Sequence, residues 1–173
     1  AYRTAFTIPD FMFFLLVSGS LSVSFIPVFN ERIAKGNKRS AWELSSSLIN
    51  ILAIVTTAVS ILIIIFAEPL VSRIVAPGLD EHATFLAVSM MRIIAINPIL
   101  FSISSVLTSI QQAHGKFFFY ALTPSIYSLG IISGVLFLAP KFGIMGVAYG
   151  VVLGSFFQLI TSILGLAGLK FNY

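Results

Sequence analysis

Residues 44–66 read LSSSLINILAIVTTAVSILIIIF, a run without a single charge that closes on Glu68-Pro69. About 20 apolar helical residues cross the roughly 30 Å hydrocarbon core of a bilayer, so this run is long enough to span one. The rest of the chain has the same character. Of its 173 residues 58% are hydrophobic and 9% charged, with a mean hydropathy of +1.04, whereas soluble domains carry roughly 25% charged residues. Ten Lys and Arg, six Asp and Glu and two His are too few to coat a water-facing surface, which excludes an ordinary soluble globule. The apolar content excludes disorder, and the absence of cysteine excludes a disulfide scaffold and leaves the redox compartment unread. The net charge of +4 and pI near 9.6 do not point to nucleic acid, because the basic residues flank apolar spans. Membrane phospholipid headgroups are the expected counter-charge.

The same test, applied outward from 44–66, predicts five spans, at about 4–30, 44–66, 83–112, 117–140 and 142–169. The fold class is therefore all-α, a polytopic helical membrane protein. The first span contains one charge, Asp10, with kinks expected at Pro9 and Pro27, and the third contains Arg92 and should bend near Asn97-Pro98. Residues 30–43 form the longest polar stretch and are expected to be a loop. No segment resembles a cleavable signal peptide, since the first span lacks a basic leader and further spans follow. The chain opens with Ala almost directly into a span, which predicts a fragment of a longer polytopic protein. Arg32, Lys35, Lys38, Arg39, Lys116 and Lys170 fall on one side of this topology, and Arg3, Arg73 and Lys141 on the other. The excess of cations predicts that the first side is cytoplasmic, with the N-terminus outside and the C-terminus inside.

An ionisable residue inside a span costs about 2.5 to 3.5 kcal/mol on insertion scales, so Asp10 and Arg92 need a reason. They could face a water-filled cavity and handle a charged substrate, or snorkel to the interface and pair structurally. Asn30, Asn50, Asn97, Gln111 and Gln158 are read as interhelical hydrogen bonds rather than ligands. His82 and His114 fall in loops on opposite sides, so no zinc site or relay joins them, and HExxH, GxSxG and P-loop patterns are absent. Neither a metal, a cofactor nor a catalytic residue is expected, and the chain is not read as an enzyme. Gly146, Gly150 and Gly154 recur every four residues, as do Gly130 and Gly134. Such faces let helix backbones approach closely in lipid; static packing is the plainer reading, and sliding during alternating access the sharper one.

The order of short motifs is more specific than any one of them. AFTIPD at 5–10, GSLS at 19–22 and FIPVFNE at 25–31 are followed by APG at 76–78, Arg92 with Pro98, the turn at 113–117, Ala121-Leu122 with Pro124, and the glycines from Gly143 to Gly154 ahead of Gln158. In this order they resemble the MurJ (MviN) family of lipid II flippases, within the multidrug/oligosaccharidyl-lipid/polysaccharide exporter superfamily. The resemblance covers essentially the whole chain. It implies helices two to six of the amino-terminal lobe of a two-lobed, fourteen-helix exporter, with the first helix and the second lobe outside this chain. It also implies that the first loop is cytoplasmic, as the count of cations does, and that the membrane is the bacterial cytoplasmic membrane.

The activity implied by the resemblance is the movement of undecaprenyl-linked peptidoglycan precursor, lipid II, from the inner to the outer leaflet by alternating access. The partners implied are lipid II or a similar polyprenyl-pyrophosphate lipid and the remainder of the parent chain. The charged headgroup would pass a cationic cavity, with Arg92 attracting the pyrophosphate and Asp10 and Arg3 shaping the outer half of the path. Two positions depart from the family. Its arginine a turn after the IPD-like segment corresponds to Phe13, and an acidic residue often found before the Gly19 position is Ser18. A related exporter of drugs or other polyprenyl-linked oligosaccharides shares the expected fold. A membrane scaffold subunit with docking faces of glycine is a further alternative, and in it Asp10 and Arg92 would be paired.

Overall fold

Residues 2–15, 24–167 and 169 are described in a computed structural model. Among them there is no strand, and the elements in chain order are all helical. Helix α1 covers Tyr2–Phe13 and α2 covers Ile26–Ala34. The middle of the first span, with Ser18 and the Gly19–Ser22 motif, lies outside the described residues, as does Lys170. Helix α3, Lys38–Pro69, continues into a π-helical turn at Leu70–Val75. Helices α4, Glu81–Ile94, and α5, Asn97–Ala113, form one bent rod. Helix α6, Phe117–Ser133, passes through a π-helical turn at Gly134–Leu138 into the short α7, Ala139–Phe142, and α8 covers Ile144–Leu164.

Four rods among the described residues, Lys38–Val75, Glu81–Ala113, Phe117–Phe142 and Ile144–Leu164, are long and apolar enough to cross a membrane. The sequence predicts five spans; the one not in this set is the first, whose residues 16–23 lie outside the described residues. The expected loop at 30–43 is almost entirely helical, because α2 runs to Ala34 and α3 starts at Lys38. Local chemistry explains the tight turn. Gly36 adopts φ +75°, where a side chain would be strained, and the Asn37 side chain accepts a hydrogen bond from the Ser40 amide at 3.1 Å, capping α3. Arg32 Nη1 then donates to the Ser40 carbonyl at 2.8 Å and to its hydroxyl at 3.0 Å. Glu31–Lys35 and Arg39–Glu43 pair one turn apart on the exposed faces. Lys35 holds the Glu31 carboxyl below the usual carboxylate range through a hydrogen bond and its charge.

Prolines set the irregular points. Pro98 has no N–H to give the carbonyl of Ile94 and its ring crowds that carbonyl, so the rod turns at Ala95–Ile96 before α5 begins. The π turns at Leu70–Val75 and Gly134–Leu138 also lie beside a proline, Pro69 before the first and Pro140 after the second.

Small residues set the packing. The buried positions of α3 are Ala41, Ser45, Ile49, Leu52, Thr56, Ser60, Ile63 and Ala67, spaced by fours and threes along one seam. Helix α8 lies against α4, α5 and α6, and its contact with α6 brings backbone onto backbone. A Cβ built on Gly134 would stand 2.5 Å from Gly150 Cα, and one on Gly150 would stand 2.9 Å from the Gly134 nitrogen. Gly130 meets Gly154 as closely, and Gly146 meets the backbone at Leu138 and Ala139. Because both sides of these contacts are backbone, no side-chain rotation can relieve an added methyl. Gly150→Val in the full-length parent should therefore destabilise the protein by about 1–3 kcal/mol, the usual cost of overpacking. A thermal melt in detergent checks this, and an unchanged melting temperature would refute the close crossing.

Candidate functional site

Three groups of polar residues survive inside this apolar chain. The first is a stripe on α1. Arg3, Thr7 and Asp10 fall at helical spacing on its exposed face, and the Thr7 hydroxyl donates to the Arg3 carbonyl at 3.1 Å. Arg92 is held by a different pair of helices. It lies on the face of α4 that also exposes Phe85 and Ile96, and its Nε donates to the Ile64 carbonyl of α3 at 3.3 Å. That bond orients the guanidinium while leaving the Nη donors for an anion. Among the described residues the only ion pairs are Glu31–Lys35 and Arg39–Glu43, so Asp10 and Arg92 are not bridged to each other.

The second group is a buried layer across the middle of the helices. The single hydroxyl proton of Ser155 on α8 is shared between Asn97 Oδ1 at 3.0 Å and the Val151 carbonyl at 2.9 Å. Thr56 of α3 and Ser102 of α5 place their hydroxyl oxygens 3.3 Å apart. Asn97 Nδ2 and the Ser60 and Ser104 hydroxyls are buried without a partner among the described residues. Nearer the end that carries Arg32 and Lys116, Gln111 Nε2 donates to the Ser162 carbonyl at 2.7 Å and Lys116 Nζ to the Ala167 carbonyl at 2.7 Å. These bonds tie down the carbonyl end of α8, where a cation is favoured. The amides of Asn97 and Gln111 thus act between helices. At the same end the His114 and Trp42 rings stack 5.7 Å apart, each edge-on to Phe29. His82 lies in the first turn of α4 rather than in a loop, and His114 directly follows α5. Among the described residues no group of three or more His, Asp and Glu is placed to hold a metal.

The third group was not legible as a site. Phe13 of α1, Phe101, Ser105 and Thr108 of α5, Thr123 of α6 and Gln158 of α8 line a small cavity of about 140 Å³. The sequence alone assigns Gln158 to helix packing with the other amides. The available signal was its place on α8, one turn beyond Gly154 on the small-residue side, where nothing else so long and polar occurs.

The lipid II flippase MurJ family matches the chain over residues 1–173. The chain belongs to that family. The lipid II flippase MurJ of Thermosipho africanus is 31% identical over 167 residues, covering 95% of this chain and 34% of that protein. The probable lipid II flippase MurJ of Aquifex aeolicus is 26% identical over 163 residues, with 92% and 32% covered. The lipid II flippase MurJ of Burkholderia cenocepacia is 26% identical over 170 residues, with 96% and 33% covered. The chain thus spans about a third of the length of these MurJ relatives. Within this MurJ segment, Phe13 stands where the resemblance puts a family arginine, and it packs edge-on against Phe101 with ring centres 5.3 Å apart.

The buried layer has a measurable strength. Hydrogen bonds between helices in a bilayer average about 0.6 kcal/mol and reach about 1.7, and Ser155–Asn97 should fall in that range. A double-mutant cycle of Asn97→Ala and Ser155→Ala on the full-length parent measures it, and additive effects would show that the two do not interact.

Proposed function

We propose that this chain is part of the amino-terminal lobe of a transporter that carries lipid II, or a closely similar polyprenyl-pyrophosphate lipid, from the inner to the outer leaflet by alternating access. The match to the MurJ family over residues 1–173 carries this reading. In this proposal the parent protein supplies the preceding helix and the second lobe, and the membrane is the bacterial cytoplasmic membrane. The end with Arg32, Lys35, Lys38, Arg39 and Lys116 faces the cytoplasm, since cations accumulate there. Transport of an intact lipid breaks no bond, so the parent is not an enzyme in this reading.

Arg92 is the residue to which we assign attraction of the pyrophosphate. It lies about 16 Å along α4 from Glu81 by the helical rise, near the middle of a bilayer-sized span. Within hydrocarbon a cation acts through a low dielectric and attracts an anion far more strongly than in water. The orientation of Arg92 by the Ile64 carbonyl suits the planar fork that binds phosphate oxygens in pairs. Arg3 and Asp10, on one exposed face of α1, would border the outer half of the path. A scaffold role predicts that Asp10 and Arg92 pair; the exposed positions of both side chains favour transport instead.

Complementation of cells depleted of their own flippase by the full-length parent tests the assignment. Arg92→Ala should fail to support growth, and Arg92→Lys should support it in part, because an ammonium keeps the charge but not the fork. Asp10→Asn should have the smaller effect. Normal growth with Arg92→Ala, at matched protein levels, would remove this residue from the mechanism.

A further inference from the structure

We propose that the cavity beside Phe13 is a subsite for an acetamido group on the neutral sugar portion of the transported lipid; this rests on the transport reading above and adds a second point of recognition to it. The cavity is neutral. No charged side chain lines it, so it has nothing to offer a pyrophosphate. Its polar atoms are unequal. The Thr108 hydroxyl already donates to the Ser104 carbonyl at 2.9 Å, and the Thr123 hydroxyl to the Phe119 carbonyl at 2.7 Å. Their protons are committed, and both present lone pairs only. The backbone carbonyls of Ser105 and Gln158 accept from Thr108, Ser109 and Ser162, but the Ser105 and Tyr120 hydroxyls and the Gln158 side-chain amide have no hydrogen-bond partner among the described residues. They offer two hydroxyl donors and an amide that both donates and accepts. The ligand that satisfies this set is uncharged, carries at least one donor and one acceptor, and brings them close together.

The remaining wall narrows the choice. Phe13 and Phe101, held edge to face, and Pro124 form an apolar side. Phe101 is in turn fixed edge-on by Tyr127 at 5.1 Å, so this wall is not free to swing away. A hydroxyl alone would leave that side unfilled. An acetamido group places its N–H and carbonyl towards Gln158, Ser105 and the threonines and its methyl against the rings. Size agrees: 140 Å³ is the share of about four or five water molecules in the liquid, which suits the carbon, carbonyl and nitrogen of an acetamide but not a whole pyranose ring. The ring itself would remain at the mouth, beside exposed Tyr120. Recognition of the lipid is thereby divided between an anion contact at Arg92 and a neutral contact at Gln158.

The test uses the full-length parent in vesicles and two synthetic polyprenyl-diphosphate monosaccharides, identical except that the second carbon of the sugar bears an acetamido group in one and a hydroxyl in the other. Apparent affinities for both are measured by competition. The native protein should favour the acetamido lipid by about tenfold, the scale of one well-made hydrogen bond. Gln158→Leu should bring the acetamido lipid down to the level of the hydroxyl lipid while leaving the latter within about twofold. Ser105→Ala, which removes a donor with almost no change in volume, should lower the preference in the same direction and serves if Gln158→Leu fails to match the native melting temperature. Equal binding of the two lipids by the native protein would overturn the subsite and leave the transport reading standing. So would a preference that survives whichever of these variants matches the native melting temperature. If neither lipid binds the native protein, the transport reading itself falls.

Discussion

In a hydrocarbon solvent apolar side chains gain nothing by moving from the surface to the interior, so helices must be held by something other than the hydrophobic effect. The chain meets this constraint by placing many small and hydroxyl residues inside, beside large ones such as Phe29, Met90 and Ile94, and many large apolar ones outside. Phe118, Phe137 and Ile54 are 70–72% exposed, whereas Ala41, Ser45, Thr56, Ala67, Ser102 and Ser155 are buried. Small residues inside let backbones approach, and many weak dispersion contacts at short range replace the hydrophobic drive. The α6–α8 crossing takes this to its limit, with glycine against glycine on both sides. The small-residue seam of α3 does the same on the other side of the bundle.

The same solvent makes every buried polar atom costly, and hydroxyls are the cheapest way to keep polarity inside. Ser45, Thr56, Thr161 and Ser162 each return a proton to a carbonyl of their own helix one turn back. Each is satisfied locally and still offers lone pairs to a neighbouring helix. Asn97 cannot do this, and it sits where Pro98 has already broken the helix. The irregular backbone is tolerated because it is enclosed by protein. Ser155 from α8 supplies a donor there. The bend, the amide and the central helix therefore depend on one another. Moving the proline alone would strand the asparagine, and removing the serine would leave the bend with less to hold it.

Hydropathy made the second to fifth spans legible because charge is so expensive in lipid that it marks the boundaries. It placed the bend near Pro98 for an equally simple reason, the missing N–H. Its failures lie where a span is not the whole of a helix. Residues 30–43 are polar and read as a loop, yet Arg32, Asn37 and Ser40 form a capping network that keeps nearly all of them helical. The seam of α3 was hidden because ILIIIF is apolar on every face, and only size separates inside from outside. Cost singled out Asp10 and Arg92 as single residues. Cost could not single out Gln158, since an amide pairs as readily with a helix as with a ligand, and its place in a cavity with Ser105 and Thr108 of α5 and Phe13 of α1 is visible only in the fold.

Under the transport reading, Phe13, at the position where the resemblance puts a family arginine, bears on how such a path can vary. Attraction between a guanidinium and a pyrophosphate falls only as the inverse of distance and is little screened in a low dielectric. Under the transport reading a cation can therefore be moved from one helix to another, with Arg92 as the proposed position, and still draw the same anion. A hydrogen bond to a neutral group has no such latitude, because it weakens steeply beyond about 3.2 Å and away from linearity. Under the transport reading, the charged part of recognition is free to drift among helices while the neutral part must stay where the donors, acceptors and apolar wall meet. An aromatic ring at position 13 completes that wall with Phe101, whereas an arginine there would bring a charge into a cavity lined only by neutral groups. In that reading, phenylalanine at position 13 exchanges a long-range contact, which another residue can supply, for a short-range one that only this position can.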